Sequence, residues 1–228
     1  MLSVVKALKN IEGIDTSNFS NVAGNIDTSD VNAISYCFTM VFKMTTPPDN
    51  TLPSLPIDIE LEMEVNENLQ NTNETICGEY AMQLQLNSVK GGEHFMCCWH
   101  LDLDPGTERR YMHPRFHLTF GGKNMREKYR TDHDAFGHLM MMATPRIPCA
   151  PMDSILAIDF VLDHFYRSDD IADVLNNTKY REAVKESQKR IWCPYYKTIS
   201  DSILKQEPIG NGLKYLPNLI LSNNVISK

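Results

Sequence analysis

Strict two-residue alternation is the dominant signal along the chain. In the stretch Ile57–Val65, Ile57, Ile59, Leu61, Met63 and Val65 alternate with Asp58, Glu60, Glu62 and Glu64. In a strand this puts the apolar set on one face and the carboxylates on the other. Tyr80–Asn87 repeats the pattern, with Tyr80, Met82, Leu84 and Leu86 against Ala81, Gln83, Gln85 and Asn87. Ile34–Met44 is β-branched and aromatic and stops before Pro47-Pro48, so it also predicts a strand. Glu93–Gly122 predicts a hairpin turning at Asp104-Pro105-Gly106. In its first arm His94, Met96, Cys98, His100, Asp102 and Asp104 share one face, opposite Phe95, Cys97, Trp99, Leu101 and Leu103. In its second arm His113, Arg115, His117 and Thr119 oppose Pro114, Phe116, Leu118 and Phe120. Half-apolar strands separated by turns such as Gly91-Gly92 predict an antiparallel meander with one wet face and about five strands.

Helical periodicity lies mainly outside this block. Val4, Val5, Leu8 and Ile11 form an apolar stripe over residues 1–11, whereas residues 15–30, rich in Asn, Ser, Thr and Asp, read as loop. Thr45–Pro56 carries four prolines and predicts an extended linker. After Gly122 a helix is expected over Asp132–Met142, followed by an extended Pro145–Met152. Asp153 should cap a helix over Ser154–Tyr166, striped by Ile155, Ile158, Leu162 and Phe165. A helical turn at Asp169–Leu175 and an amphipathic helix at Lys179–Trp192 follow. Pro194 is expected to end or bend that helix before another at Thr198–Gln206. The tail holds an apolar run, Leu216–Leu221. The pattern predicts one α+β domain over 1–228: a helix and loop (1–30), an antiparallel sheet (31–122), a helical part covering one face (123–206) and a tail (207–228).

Charge changes the picture on one side only. The net charge is −7, yet between Lys43 and Lys90 there are eight carboxylates and no lysine or arginine. Such a field repels phosphate backbones and attracts a basic protein, so nucleic acid is not expected as a direct ligand. No apolar run approaches the roughly 20 residues a spanning helix needs, and the start lacks the order of a secretory signal. Six scattered cysteines do not form the framework of a secreted disulfide scaffold. A reduced, cytoplasmic protein without membrane association or cofactor is expected.

Candidate chemistry concentrates on the hairpin, which holds four of the seven histidines. His94, Cys98, His100, His113 and His117 are the residues that would ligate zinc, although no Cys-x-x-Cys or His-Glu-x-x-His spacing accompanies them. His100 beside Asp102 suits an oriented general base, with Arg115 as anion clamp and His117 as a second imidazole. His117-Leu118-Thr119 resembles the His-x-Thr strand motif of the two-histidine phosphoesterases, which use two such motifs around a phosphate; the other six histidines here lack the hydroxyl two residues on. Cys149, four residues before the Asp153 cap, is a possible nucleophile that the capping carboxylate disfavours. The order helix, meander, His113-Pro114 and C-terminal helices resembles ubiquitin-conjugating enzymes and their inactive relatives. That family's His-Pro-Asn motif becomes His-Pro-Arg here, and no cysteine lies between Cys98 and Cys149, so the resemblance implies architecture without conjugating activity. Nucleotide-binding loops and the serine-hydrolase elbow are absent from the sequence.

The expectation is therefore a non-enzymatic interaction or accessory subunit, binding a basic protein through Asp58, Glu60, Glu62 and Glu64 or through the tail. The alternative is a hydrolase or phosphoesterase using His100, Asp102, Arg115 and His117.

Overall fold

The structure, a computed structural model, describes residues 1–9, 11–26, 32–44, 56–68, 75–104, 115–121, 125, 135–136, 139–140 and 146–205. Its N-terminal part runs α1 (Leu2–Leu8), β1 (Ile14–Asp15) and α2 (Ser17–Asn25). Four long strands follow: β2 (Ala33–Met44), β3 (Ile57–Asn68), β4 (Ile76–Lys90) and β5 (Glu93–Leu103). Shorter pieces are β6 (Phe116–Phe120), β7 (Ala135–Phe136), β8 (Leu139–Met140) and β9 (Ile147–Pro148). The chain then forms α3 (Ser154–Phe165), α4 (Ala172–Leu175) and α5 (Thr178–Lys205).

The main sheet is a meander ordered β1-β2-β3-β4-β5-β6-β9, antiparallel throughout, and β7 pairs with β8 alone. The fold is thus α+β, with seven strands rather than about five. The added strands, β1 and β9, are two residues long and sit on the edges, too short for alternation to reveal. Gly13 makes the β1 edge possible. Its φ is +85°, its carbonyl accepts the Lys43 N–H at 2.8 Å, and a Cβ there would lie 2.5 Å from the Lys43 carbonyl oxygen.

Helices cover the apolar face. Phe38, Met40 and Phe42 of β2, Ile59, Leu61, Met63 and Val65 of β3, Met82 and Leu84 of β4 and Leu101 of β5 are buried in one cluster with Val4 and Leu8 of α1, Phe19 of α2, Leu156, Ile158 and Leu162 of α3 and Tyr180 and Ile191 of α5. Burial of each such side chain is worth about 1.5–3 kcal/mol, so this face dominates the stability of the fold. Asp153 caps α3 as expected, its carboxylate accepting from the Ile155 and Leu156 N–H groups at 3.1 and 2.9 Å. The extended segment before it is clamped by aromatic side chains. The Tyr80 hydroxyl donates to the Met152 carbonyl at 2.9 Å, and the Trp192 indole N–H donates to the Pro151 carbonyl at 2.9 Å.

Three expectations are corrected. Within the presumed loop 15–30, Ser17–Asn25 is a helix, because Phe19 is buried against Phe38 with ring centroids 4.8 Å apart and this packing overrides weak local propensity. Within Asp132–Met142, where a helix was expected, Ala135–Phe136 and Leu139–Met140 are paired strands. Pro194 neither ends α5 nor separates it from Thr198–Lys205, which belong to the same 28-residue helix. A proline there cannot donate to the carbonyl four residues back, that of Arg190. The Thr75 hydroxyl takes the vacated acceptor at 3.1 Å.

Candidate functional site

The wet face of the sheet changes character from one side to the other. On β3, Asp58, Glu62 and Glu64 are exposed and Glu60 is half-buried. Lys43 and Asn87 flank Asp58 across the strands, but Glu60 lies between Val41 and Gln85, Glu62 between Thr39 and Gln83, and Glu64 between Cys37 and Ala81. Three carboxylates in succession therefore have no cation directly opposite. Their field reaches Cys37, whose thiol is pushed up first by burial and then by Glu64 and Glu62.

Towards β5 and β6 the same face closes. Cys98 and His117 are buried, while His100, Asp102 and Thr119 are half-buried. The described strand of the second arm is Phe116–Phe120, and its register sets His117 directly opposite Asp102 and Thr119 opposite His100. The ladder continues one step further, where the Asp104 N–H donates to the Arg115 carbonyl at 2.7 Å. His100 and His117 are thus diagonal neighbours on adjacent strands, about 7–8 Å apart at the backbone. The Thr119 hydroxyl oxygen is buried without a hydrogen-bond partner.

Not all the candidate metal ligands converge. His94 sits opposite Val89 near the β4–β5 turn, roughly 20 Å along the strand from His100. His113 lies outside the described residues. Cys98 Sγ is 4.0 Å from His100 Nδ1, yet no group of three or more His, Cys, Asp or Glu side chains is placed to hold a metal among the described residues. Nor is Cys98 primed as a nucleophile: burial, with smaller effects from Cys97 and Asp102, pushes its thiol up to about 11. Burial likewise pushes the Cys149 thiol up.

A second charged centre lies on the opposite face, and the alternation around it was the signal that could have disclosed it. Glu67 continues the row Ile59, Leu61, Met63, Val65 into the covered side of the sheet, where it is 2% exposed. It accepts from the Tyr36 hydroxyl at 2.9 Å and from the Arg190 guanidinium. Arg190 also bonds Asp153, which accepts the Ser187 hydroxyl as well. Burial pushes the Asp153 carboxyl up, against the pull of Ser187 and of the Leu156 and Ile155 N–H groups. Arg190, on α5, is thus the cation that joins that helix to β3 and to the cap of α3.

No family model, no curated protein and no solved structure matches the chain. No helix among the described residues is long and apolar enough to cross a membrane.

Proposed function

We propose that the chain is a non-enzymatic interaction or accessory subunit that docks a basic protein segment on the acidic half of the wet face. The observation carrying this reading is the run Glu60, Glu62, Glu64 with only neutral side chains opposite on both neighbouring strands. A row of like charges with no cation opposite is free to take its counter-charge from a partner surface. A cytoplasmic setting belongs to the same reading and is supported by Cys37, Cys97, Cys98, Cys149 and Cys193, all free thiols. The tail, the other surface considered, lies outside the described residues. To test the proposal, proteins captured from the native cell by the wild type would be compared with those captured by a Glu60→Lys, Glu62→Lys, Glu64→Lys variant of unchanged circular dichroism. A stoichiometric partner lost on charge reversal supports it. Equal capture rejects the stripe as the interface.

A hydrolase reading is favoured by one observation, the opposition of Asp102 to His117 with His100 on the diagonal. It predicts turnover within a panel of phosphate and carboxylate esters that His117→Ala and His100→Ala each abolish. Turnover surviving both substitutions sinks it.

A further inference from the structure

The ladder between β2 and β3 runs without interruption from Ala33 opposite Asn68 to Met44 opposite Ile57. In such a ladder alternate residues turn both backbone groups towards the partner strand and the others turn both away. The Lys43 N–H donates to the Gly13 carbonyl at 2.8 Å, which fixes the odd-numbered residues of β2 as those facing away from β3. Beside Gly13, β1 covers this edge at Val41, and the Asn18 side chain accepts the Thr39 N–H at 3.0 Å. Beyond Thr39 no described residue hydrogen-bonds the edge, although α2 packs on the apolar side of β2 at Phe38. Ala33, Ser35 and Cys37 are exposed, and no hydrogen bond to their N–H or C=O groups is present among the described residues.

Natural edges are blunted by lysine, proline, bulges or inward charges. The stretch Ala33-Ile34-Ser35-Tyr36-Cys37 has none of these. It offers about 16 Å of open edge. We propose that this edge accepts an extended segment of a partner protein as an added strand, with basic and apolar side chains alternating. The inference rests on the acidic-face reading and adds the mode of recognition. On the wet side, the short side chains of Ala33, Ser35 and Cys37 form a low step between the edge and β3. A lysine or arginine on the added strand lies two strand spacings from β3, about 10 Å, and its long stem crosses that step to Glu64 and Glu62. On the other side the alternate residues meet half-buried Ile34.

The test uses the full chain and a short capped peptide of alternating lysine and valine, with hydrogen exchange followed by NMR. Strand addition slows exchange of the Ser35 and Cys37 amides on saturation. Ser35→Pro removes one outward N–H without touching the ladder to β3, and should weaken binding about tenfold. Should that variant fail to fold, the exchange readout alone decides. Binding that Glu62→Gln, Glu64→Gln abolishes while the Ser35 and Cys37 amides stay unprotected overturns strand addition and leaves the acidic-face reading standing. Protection of those amides with binding indifferent to the two glutamates keeps the edge and overturns the acidic-face reading. No binding of the peptide at low salt overturns both.

Discussion

Strand β3 carries two sets of carboxylates in opposite environments. Glu60, Glu62 and Glu64 stand on the open face with neutral neighbours, while Glu67, on the covered face, is held by Arg190 and Tyr36. An exposed carboxylate keeps its hydration and adds little to or subtracts little from stability. A buried one has lost that water, so it persists only where a guanidinium and hydroxyls replace it. The same residue type on one strand is thus free to serve a partner on one face and committed to the fold on the other. Changes to the first set should alter binding; changes to the partners of the second should alter stability.

The sharpest way to break this contrast is Arg190→Met, which leaves Glu67 and Asp153 buried without their cation. The expected loss is about 3 kcal/mol by urea denaturation, at the lower end for buried pairs because water reaches part of the guanidinium. A loss below about 1 kcal/mol would place the network with ordinary surface pairs and erase the distinction. Next in size is Cys98. With its thiol near 11, against an ordinary value of 9.0, its alkylation at pH 8 should be about 100-fold slower than that of an ordinary cysteine, followed by mass spectrometry. The rate should climb as pH rises towards 11. In that same window the unfolded chain loses the proton first, so stability falls with rising pH. Cys37 differs because part of its shift comes from Glu64 and Glu62 on the open face, so salt should speed its alkylation more than that of Cys98, whose neighbouring charge Asp102 is half-buried. A salt-independent Cys37 rate would show the stripe to be already neutralised.

Smaller effects are expected where a buried hydroxyl lacks a partner. Tyr166→Phe and Thr119→Val each remove such a group, and each should raise stability by about 1 kcal/mol in calorimetry. Destabilisation by Thr119→Val would instead mean that this hydroxyl serves the His100 and His117 face. Smallest of all, Glu60→Gln, Glu62→Gln, Glu64→Gln should stay within about 0.5 kcal/mol per site, with any gain at low salt fading as salt is added. A larger loss would tie the stripe to the fold.

How much of this was legible depends on whether a residue's setting is local. The long strands were readable because every second side chain of Ile59–Val65 and Tyr80–Leu84 faces the same core, and Ser154–Phe165 because Asp153 and its stripe are contiguous. Edge strands of two residues have no period to detect. The helix at Ser17–Asn25 depends on Phe38, and the passage of α5 through Pro194 depends on Thr75, both remote in sequence. The wet-face grouping of His100, Asp102 and His117 followed from strand parity, but the pairing of Asp102 with His117 required the register. Glu67 is one of the eight carboxylates in the acidic interval; its parity with Val65 marks the covered face, but its partner Arg190 lies 123 residues away.

The Thr75 hydroxyl on the Arg190 carbonyl has one more consequence. Helix α5 crosses its proline only with a donor borrowed from the residue that leads into β4, while the Arg190 side chain reaches back to the end of β3. Backbone and side chain of a single residue thus fasten the helix to both strands of one β-hairpin. Past that fastening Tyr195, itself buried, donates its hydroxyl to the Cys149 carbonyl at 3.4 Å, so the β3–β4 pair and the segment before α3 together set the direction in which the rest of the helix runs.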